Sequence, residues 1–228
     1  MTKKIISLLL ALLMFASIPM GAYAAKAKAD AAVETTEAPA EESGSALDTV
    51  AKMWVFVTFA NPKVPHCWIY IVNQTDKPLK VCDDYYIKPH GDFSMGAFKS
   101  RGTDGPGIYF NLERHWIKPE TYGRAFCMST NVSRREMERV SNSLKRHDVW
   151  NWGMNCCYFA TSIWNICSPR KLLYIISPYF MCAQMLIWGA RRPNFTIPKM
   201  TNAANCYKYH SDGITQCCWR ATITNTGV

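Results

Sequence analysis

The sequence has no Cys-x-x-Cys pair and no two histidines at helical spacing. That removes the usual zinc and dithiol-redox signatures, because a short segment can hold a metal only if its ligands sit one loop or one turn apart. Cys206, His210, Cys217 and Cys218 superficially resemble a zinc group, but disulfides explain the same cysteines in an exported chain. Gly102, Gly105 and Gly107 lack the spacing of a phosphate-cradling loop. No metal or cofactor is therefore expected. Acidic residues are few: 17 Asp and Glu face 26 Lys and Arg, a formal net charge of +9. With no nucleic-acid motif present, this balance favours anionic surface polymers over nucleic acid. Apolar runs long enough to cross a membrane are also missing. Residues 5–20 are too short and end in Pro19 and Gly21, and residues 172–190 are split by Pro178. No stable membrane span is expected in the mature chain.

The N-terminus is organised for export. Lys3 and Lys4 precede the apolar run of residues 5–20, and Ala22-Tyr23-Ala24 is a small-x-small cleavage signal. Residues 1–24 therefore read as a secretory signal peptide, and the location as extracellular, at the cell envelope. Residues 25–52 contain no aromatics and are rich in Ala, Glu, Thr and Ser. Such a segment buries too little apolar surface to offset its ordering entropy, so it reads as a disordered linker. Composition changes at Met53-Trp54-Val55-Phe56. The domain of residues 53–228 holds all eight Trp and all ten Cys, and carries 21 Lys and Arg against 11 Asp and Glu. Ten cysteines outside the cell invite disulfides. A core of this size also folds without them, so some can be buried free thiols.

Period-two, β-branched and aromatic stretches predict strands over residues 53–60, 66–72, 79–87, 93–98, 107–112 and 122–128. Residues 79–87 read as the strand returning from 66–72 through a turn near Thr75-Asp76. Ser133 and Glu136 form a capping box for a surface helix whose buried stripe is Met137, Val140 and Leu144. Residues 172–190 read as buried helical structure. Residues 207–218 read as a hairpin about Ser211-Asp212-Gly213, with Cys206 and Cys217 as candidate cross-strand neighbours.

The stretch with chemistry is residues 151–168, Asn-Trp-Gly-Met-Asn-Cys-Cys-Tyr-Phe-Ala-Thr-Ser-Ile-Trp-Asn-Ile-Cys-Ser. Asn155 is a good N-cap, which puts Cys156 in the first turn of a helix. Backbone N–H groups and the helix dipole favour a thiolate there. The stripe Phe159, Ala160, Ile163, Ile166 and Cys167 predicts that Cys156 faces inward, while Cys157 shares a face with Thr161, Trp164 and Ser168. Both cysteines have a competing reading as structural thiols. A cysteine nucleophile needs a base. Of the five histidines, His90, His115, His147 and His210 sit in turns, a loop or helix ends. His66 opens a strand, where an imidazole can meet a helix packed on the sheet. The assumed hairpin puts Asp83 or Asp84 opposite His66 as the group that orients it.

The order of these two motifs, a strand opened by His66 and then Asn155-Cys156-x-x-Phe159 about ninety residues later, resembles the circularly permuted papain-like proteins of the NlpC/P60 superfamily. The resemblance spans residues 66–165. It implies an α+β domain, an antiparallel sheet packed against helices, with Cys156 as nucleophile and His66 as base. Relatives place a polar third group on the strand after the histidine. Asp83 or Asp84 would have to fill that role, in place of the usual histidine, and the doubled Cys156-Cys157 is a further departure. The implied reaction is acyl transfer through a thioester, with cell-wall peptide as the first substrate class. The alternatives are a lipid acyl hydrolase or transferase, or a non-catalytic, disulfide-stabilised module that binds anionic surface polymers.

Overall fold

The structure, a computed structural model, describes residues 48–59, 65–99, 105–116, 125–198 and 205–217. The signal peptide, residues 25–47 of the expected linker, and Cys218 lie outside them. Among the described residues the fold is α+β: one seven-stranded antiparallel sheet, a separate two-stranded hairpin and four helices. The strands of the large sheet are β1 (Thr49–Thr58), β2 (His66–Asn73), β5 (Asp92–Phe98), β6 (Gly107–Phe110), β7 (Phe126–Ser133), β8 (Tyr207–His210) and β9 (Gly213–Gln216). Their order is β7-β1-β2-β5-β6-β8-β9. The helices are α1 (Leu112–Trp116), α2 (Arg134–His147), α3 (Cys156–Cys167) and α4 (Pro178–Ile187).

β1 begins at Thr49, inside the segment expected as linker, because Val50 and Ala51 are buried and Ala51 pairs with Asn73. β1 and β2 are interior strands of the sheet, second and third from the β7 edge, and are buried on both faces. Met53, Val55, Val57, Cys67, Ile69 and Ile71 belong to the main core with the helices. Phe56, Trp68 and Tyr70 pack in a second cluster with Ile197 and Phe195. A strand covered on both faces reads as a continuous apolar run, which is what His-Cys-Trp-Ile-Tyr-Ile-Val is.

The return of the chain after β2 differs from expectation. Residues 79–87 do not pair with β2. They form their own hairpin, β3 (Leu79–Cys82) and β4 (Tyr85–Ile87), with Asp83 and Asp84 in its turn. Asn73 explains this. Its side-chain amide donates to the carbonyls of Lys77, Ile87 and Lys88, at 2.8, 3.3 and 3.0 Å, closing residues 74–88 into a self-contained excursion. The Asn73 N–H then meets the Gly91 carbonyl, so β5 rather than β3 lies beside β2.

Helix α2 starts as its sequence predicts. Ser133 caps the Glu136 N–H, Glu136 reaches back to the Ser133 N–H, and Met137, Val140 and Leu144 are buried. Helix α3 packs on β2 and β5. The expected helical structure over 172–190 is confined to α4. Residues 172–177 are not helical and are held in place by side-chain amides. Asn165 exchanges two hydrogen bonds with the Leu172 backbone, both 2.8 Å, and Gln184 accepts from Leu173 N–H at 2.7 Å. Nor is that stretch uniformly buried: Leu173, Tyr174, Ile176, Tyr179, Leu186, Ile187 and Trp188 are exposed.

Candidate active site

Asn155 builds the start of α3. Its side-chain oxygen accepts from the N–H groups of Cys157 (2.9 Å) and Tyr158 (3.3 Å), and its carbonyl accepts from Phe159 N–H. Its amide nitrogen donates to the Ile176 carbonyl at 2.7 Å, which ties the 172–177 segment to this helix end. Cys156 follows the cap and is half-buried, while Cys157 is fully buried. The sequence stripe had these two reversed in depth. Thr161, Trp164 and Ser168 are buried along with Phe159, Ala160 and Ile163, so α3 is covered on nearly every side and a stripe is a poor guide to which cysteine lies deeper.

His66 is buried at the first position of β2, beside Phe98, with ring centroids 4.4 Å apart. Its imidazole is in hydrogen-bonding reach of the Cys156 sulfur. Its Nε2 lies 3.3 Å from Glu113 Oε1. The other carboxylate oxygen of Glu113 accepts from the Ser94 hydroxyl at 2.9 Å. Glu113 is fully buried, and its room comes from Gly96: a Cβ there would stand 2.0 Å from Glu113 Oε1 and 3.0 Å from His66 Nε2. The chain enters α1 through Asn111 at a positive φ of 62°. Asn111 exchanges hydrogen bonds with the Ser94 backbone (3.1 and 2.8 Å), and its amide donates to the Tyr85 hydroxyl and the Asn205 carbonyl. Next along, Arg114 donates to Asp92 at 2.7 Å. The short helix carrying Glu113 is thus fixed on both sides of it.

Electrostatics make the dyad an ion pair. Hydrogen bonds from Cys157 and Cys67 hold the Cys156 thiol well below the ordinary thiol value; burial opposes this, and the charge and hydrogen bond of His66 add to it. Burial pulls His66 down, but the charge and hydrogen bond of Cys156, followed by those of Glu113, outweigh it, and its pKa is raised to about 9. Cys67 is pushed up by burial and by its bonds to the other two thiols, and Cys157 by its bond to Cys156. One sulfur of three carries the charge.

Of the residues singled out from sequence, the structure brings Cys156 and His66 together. Asp83 and Asp84 are elsewhere, exposed in the β3–β4 turn. Asp83 pairs with Lys80 at 2.9 Å and Lys145 at 3.8 Å, and both aspartates line a groove with Glu138, His210 and Asp212. The group beside His66 is instead Glu113. A carboxylate three residues after a fully buried strand, Gly107–Phe110, was the available signal. Among the described residues, the group of three that could present ligand atoms to a metal is Cys67, Cys156 and Cys157, whose sulfurs lie within 4.8 Å of one another. An ion there would occupy the candidate nucleophile. No family model, curated protein or solved structure matches the chain.

Proposed function

We propose that the folded part of this chain is a cysteine hydrolase of the permuted papain-like, NlpC/P60-like kind, working by acyl transfer through a thioester. The observation that carries this reading is a half-buried cysteine at a helix N-terminus, paired with a strand histidine that a buried glutamate backs. The Cys156 thiolate attacks a carbonyl carbon. His66, protonated in the resting pair, gives its proton to the leaving amine or alkoxide. A water, deprotonated by the now neutral imidazole, then releases the acid. Glu113 fixes the ring and stabilises its charged form. In the first turn of α3 the Cys157, Tyr158 and Phe159 N–H groups are taken by Asn155. The Cys156 N–H is left for an oxyanion.

Amide-linked cell-wall peptide is the first substrate class. Expected export and the +9 charge support it, since the polymer is anionic and outside the membrane. A lipid acyl substrate is the second reading, and a specific observation favours it. Tyr174 packs on Tyr158 at 5.3 Å and Ile176 is tied to Asn155, so an exposed apolar rim adjoins the first turn of α3. Residues 149–198 contain no Asp or Glu, while Arg170, Lys171, Arg191 and Arg192 are exposed. The test is mass spectrometry of the full secreted chain incubated with cell-wall peptide fragments or with anionic phospholipid vesicles. A Cys156-dependent cleavage of the first supports the amidase reading, and of the second the lipid reading. A thiol that neither turns over substrate nor alkylates near neutral pH would leave the non-catalytic binding module.

A further inference from the structure

The two residues of the dyad are each followed at once by a cysteine: His66 by Cys67 and Cys156 by Cys157. The sulfurs of these followers face each other at 3.3 Å, and both residues are fully buried. We propose that Cys67 and Cys157 close into a disulfide that staples β2 to the first turn of α3 and leaves Cys156 free. The positioning role of this bond rests on the Cys156–His66 reading of the site; the bond itself does not.

Geometry and exchange chemistry select this pairing from the three that the cluster allows. A disulfide has a sulfur–sulfur distance of about 2.05 Å, so the facing pair must close by roughly one ångström. Cys156 and Cys157 are neighbours in a helix, where successive side chains diverge by about 100°. A Cys67–Cys156 bond is possible but not final. In thiol–disulfide exchange the sulfur with the lowest pKa leaves fastest, and within this cluster that is Cys156.

The same arrangement supplies a route. Cys67 and Cys157 are sealed from solvent, and Cys156 is the half-buried member. The Cys156 thiolate attacks a small-molecule disulfide, R–S–S–R, forming Cys156–S–S–R; the released RS⁻ takes the proton held on His66 and leaves as RSH. Cys67 passes its proton to His66 and attacks the Cys156 sulfur, and the second RS⁻ takes that proton. Cys157 then passes its proton to His66, attacks the Cys67 sulfur and expels Cys156 as thiolate. The sum is two thiols plus R–S–S–R giving one protein disulfide and two RSH, with the Cys156–His66 ion pair restored. The bond joins residues 90 apart in sequence, so it also restricts the unfolded chain.

The test uses the full chain, secreted into an oxidising compartment, alkylated without reduction, digested and mapped by mass spectrometry. The expected result is a Cys67–Cys157 cross-linked peptide with the alkyl group on Cys156. Cys156→Ser should keep the cross-link but form it about tenfold more slowly from reduced protein and oxidised glutathione. Finding Cys67 and Cys157 both alkylated after denaturation, or Cys156 in the cross-link, overturns the proposal. A cross-link present with Cys156 inert to alkylation overturns the hydrolase reading and leaves the disulfide standing. A reactive Cys156 without the cross-link does the reverse.

Discussion

Glu113 reaches His66 from a helix of five residues, with Oε1 3.3 Å from the imidazole Nε2 and Oε2 bound to the Ser94 hydroxyl. Glu113 adds to the charge that stabilises the imidazolium. Replacing Glu113 with Gln keeps the shape and removes the charge. Turnover of a cleaved substrate should drop on the order of 10²-fold, and the alkaline limb of the pH profile should move down from about 9 toward 6.5, the ordinary value for His. Steady-state rates across pH check both. An unchanged alkaline limb would detach Glu113 from the histidine.

The pH dependence of Cys156 follows from the same pair. Its pKa is depressed by the Cys157 and Cys67 thiols and by His66. Where the proposed disulfide removes the two thiol donors, the charge and hydrogen bond of His66 remain to lower it. The thiolate therefore forms as pH rises through that lowered value; His66 loses its proton as pH rises through about 9. The ion pair fills the window between them, and the activity profile should be bell-shaped across it. Alkylation of Cys156 by iodoacetamide should proceed at mildly acid pH. In His66→Ala its rate should fall there, and its midpoint should rise toward the ordinary thiol value of 9.0. A wild-type midpoint already at that value would contradict the paired thiolate.

Gly96 should tolerate nothing larger. An added Cβ lands 2.0 Å from Glu113 Oε1, a backbone-fixed clash with a buried carboxylate. Gly96→Ala should cost about 1–3 kcal/mol in urea unfolding and lower activity with it. The clash names its partner, so the cost should shrink when Glu113 is also Ala. Equal costs in the two backgrounds would place the strain elsewhere.

How far the sequence reaches into this site depends on whether a signal is local. A strand opened by His66 and a helix capped by Asn155 are written within a few residues, and both stand where pattern and capping chemistry put them. Asp83 and Asp84 were placed by assuming that β2 and the next strand pair. That register is decided by Asn73, one side chain tying three carbonyls, and by β5 arriving alongside through Gly91. Glu113 sits 47 residues from His66, and no short-range period links them. The depth of Cys157 was hidden for another reason. A helix buried on nearly every side has no apolar stripe to read, and only its neighbour Cys67, across from it on β2, shows which way it points.

Asn155 joins two jobs that substitution can separate. Its oxygen caps the Cys157 and Tyr158 N–H groups, and its nitrogen holds the Ile176 carbonyl. Asn155→Ala loses both and should destabilise the domain by about 1 kcal/mol. Asn155→Asp keeps the cap, adds a negative charge at a helix N-terminus and should recover most of that stability. It still lacks the donor to Ile176, so residues 172–177 should exchange amide hydrogens faster than in wild type although most of the stability is recovered. It also sets a carboxylate beside the Cys156 thiolate, which should raise the thiol pKa and shift the acid limb of the alkylation profile upward. If Asp matched wild type in both exchange and alkylation, the Ile176 tether would have no part in shaping the mouth of the site.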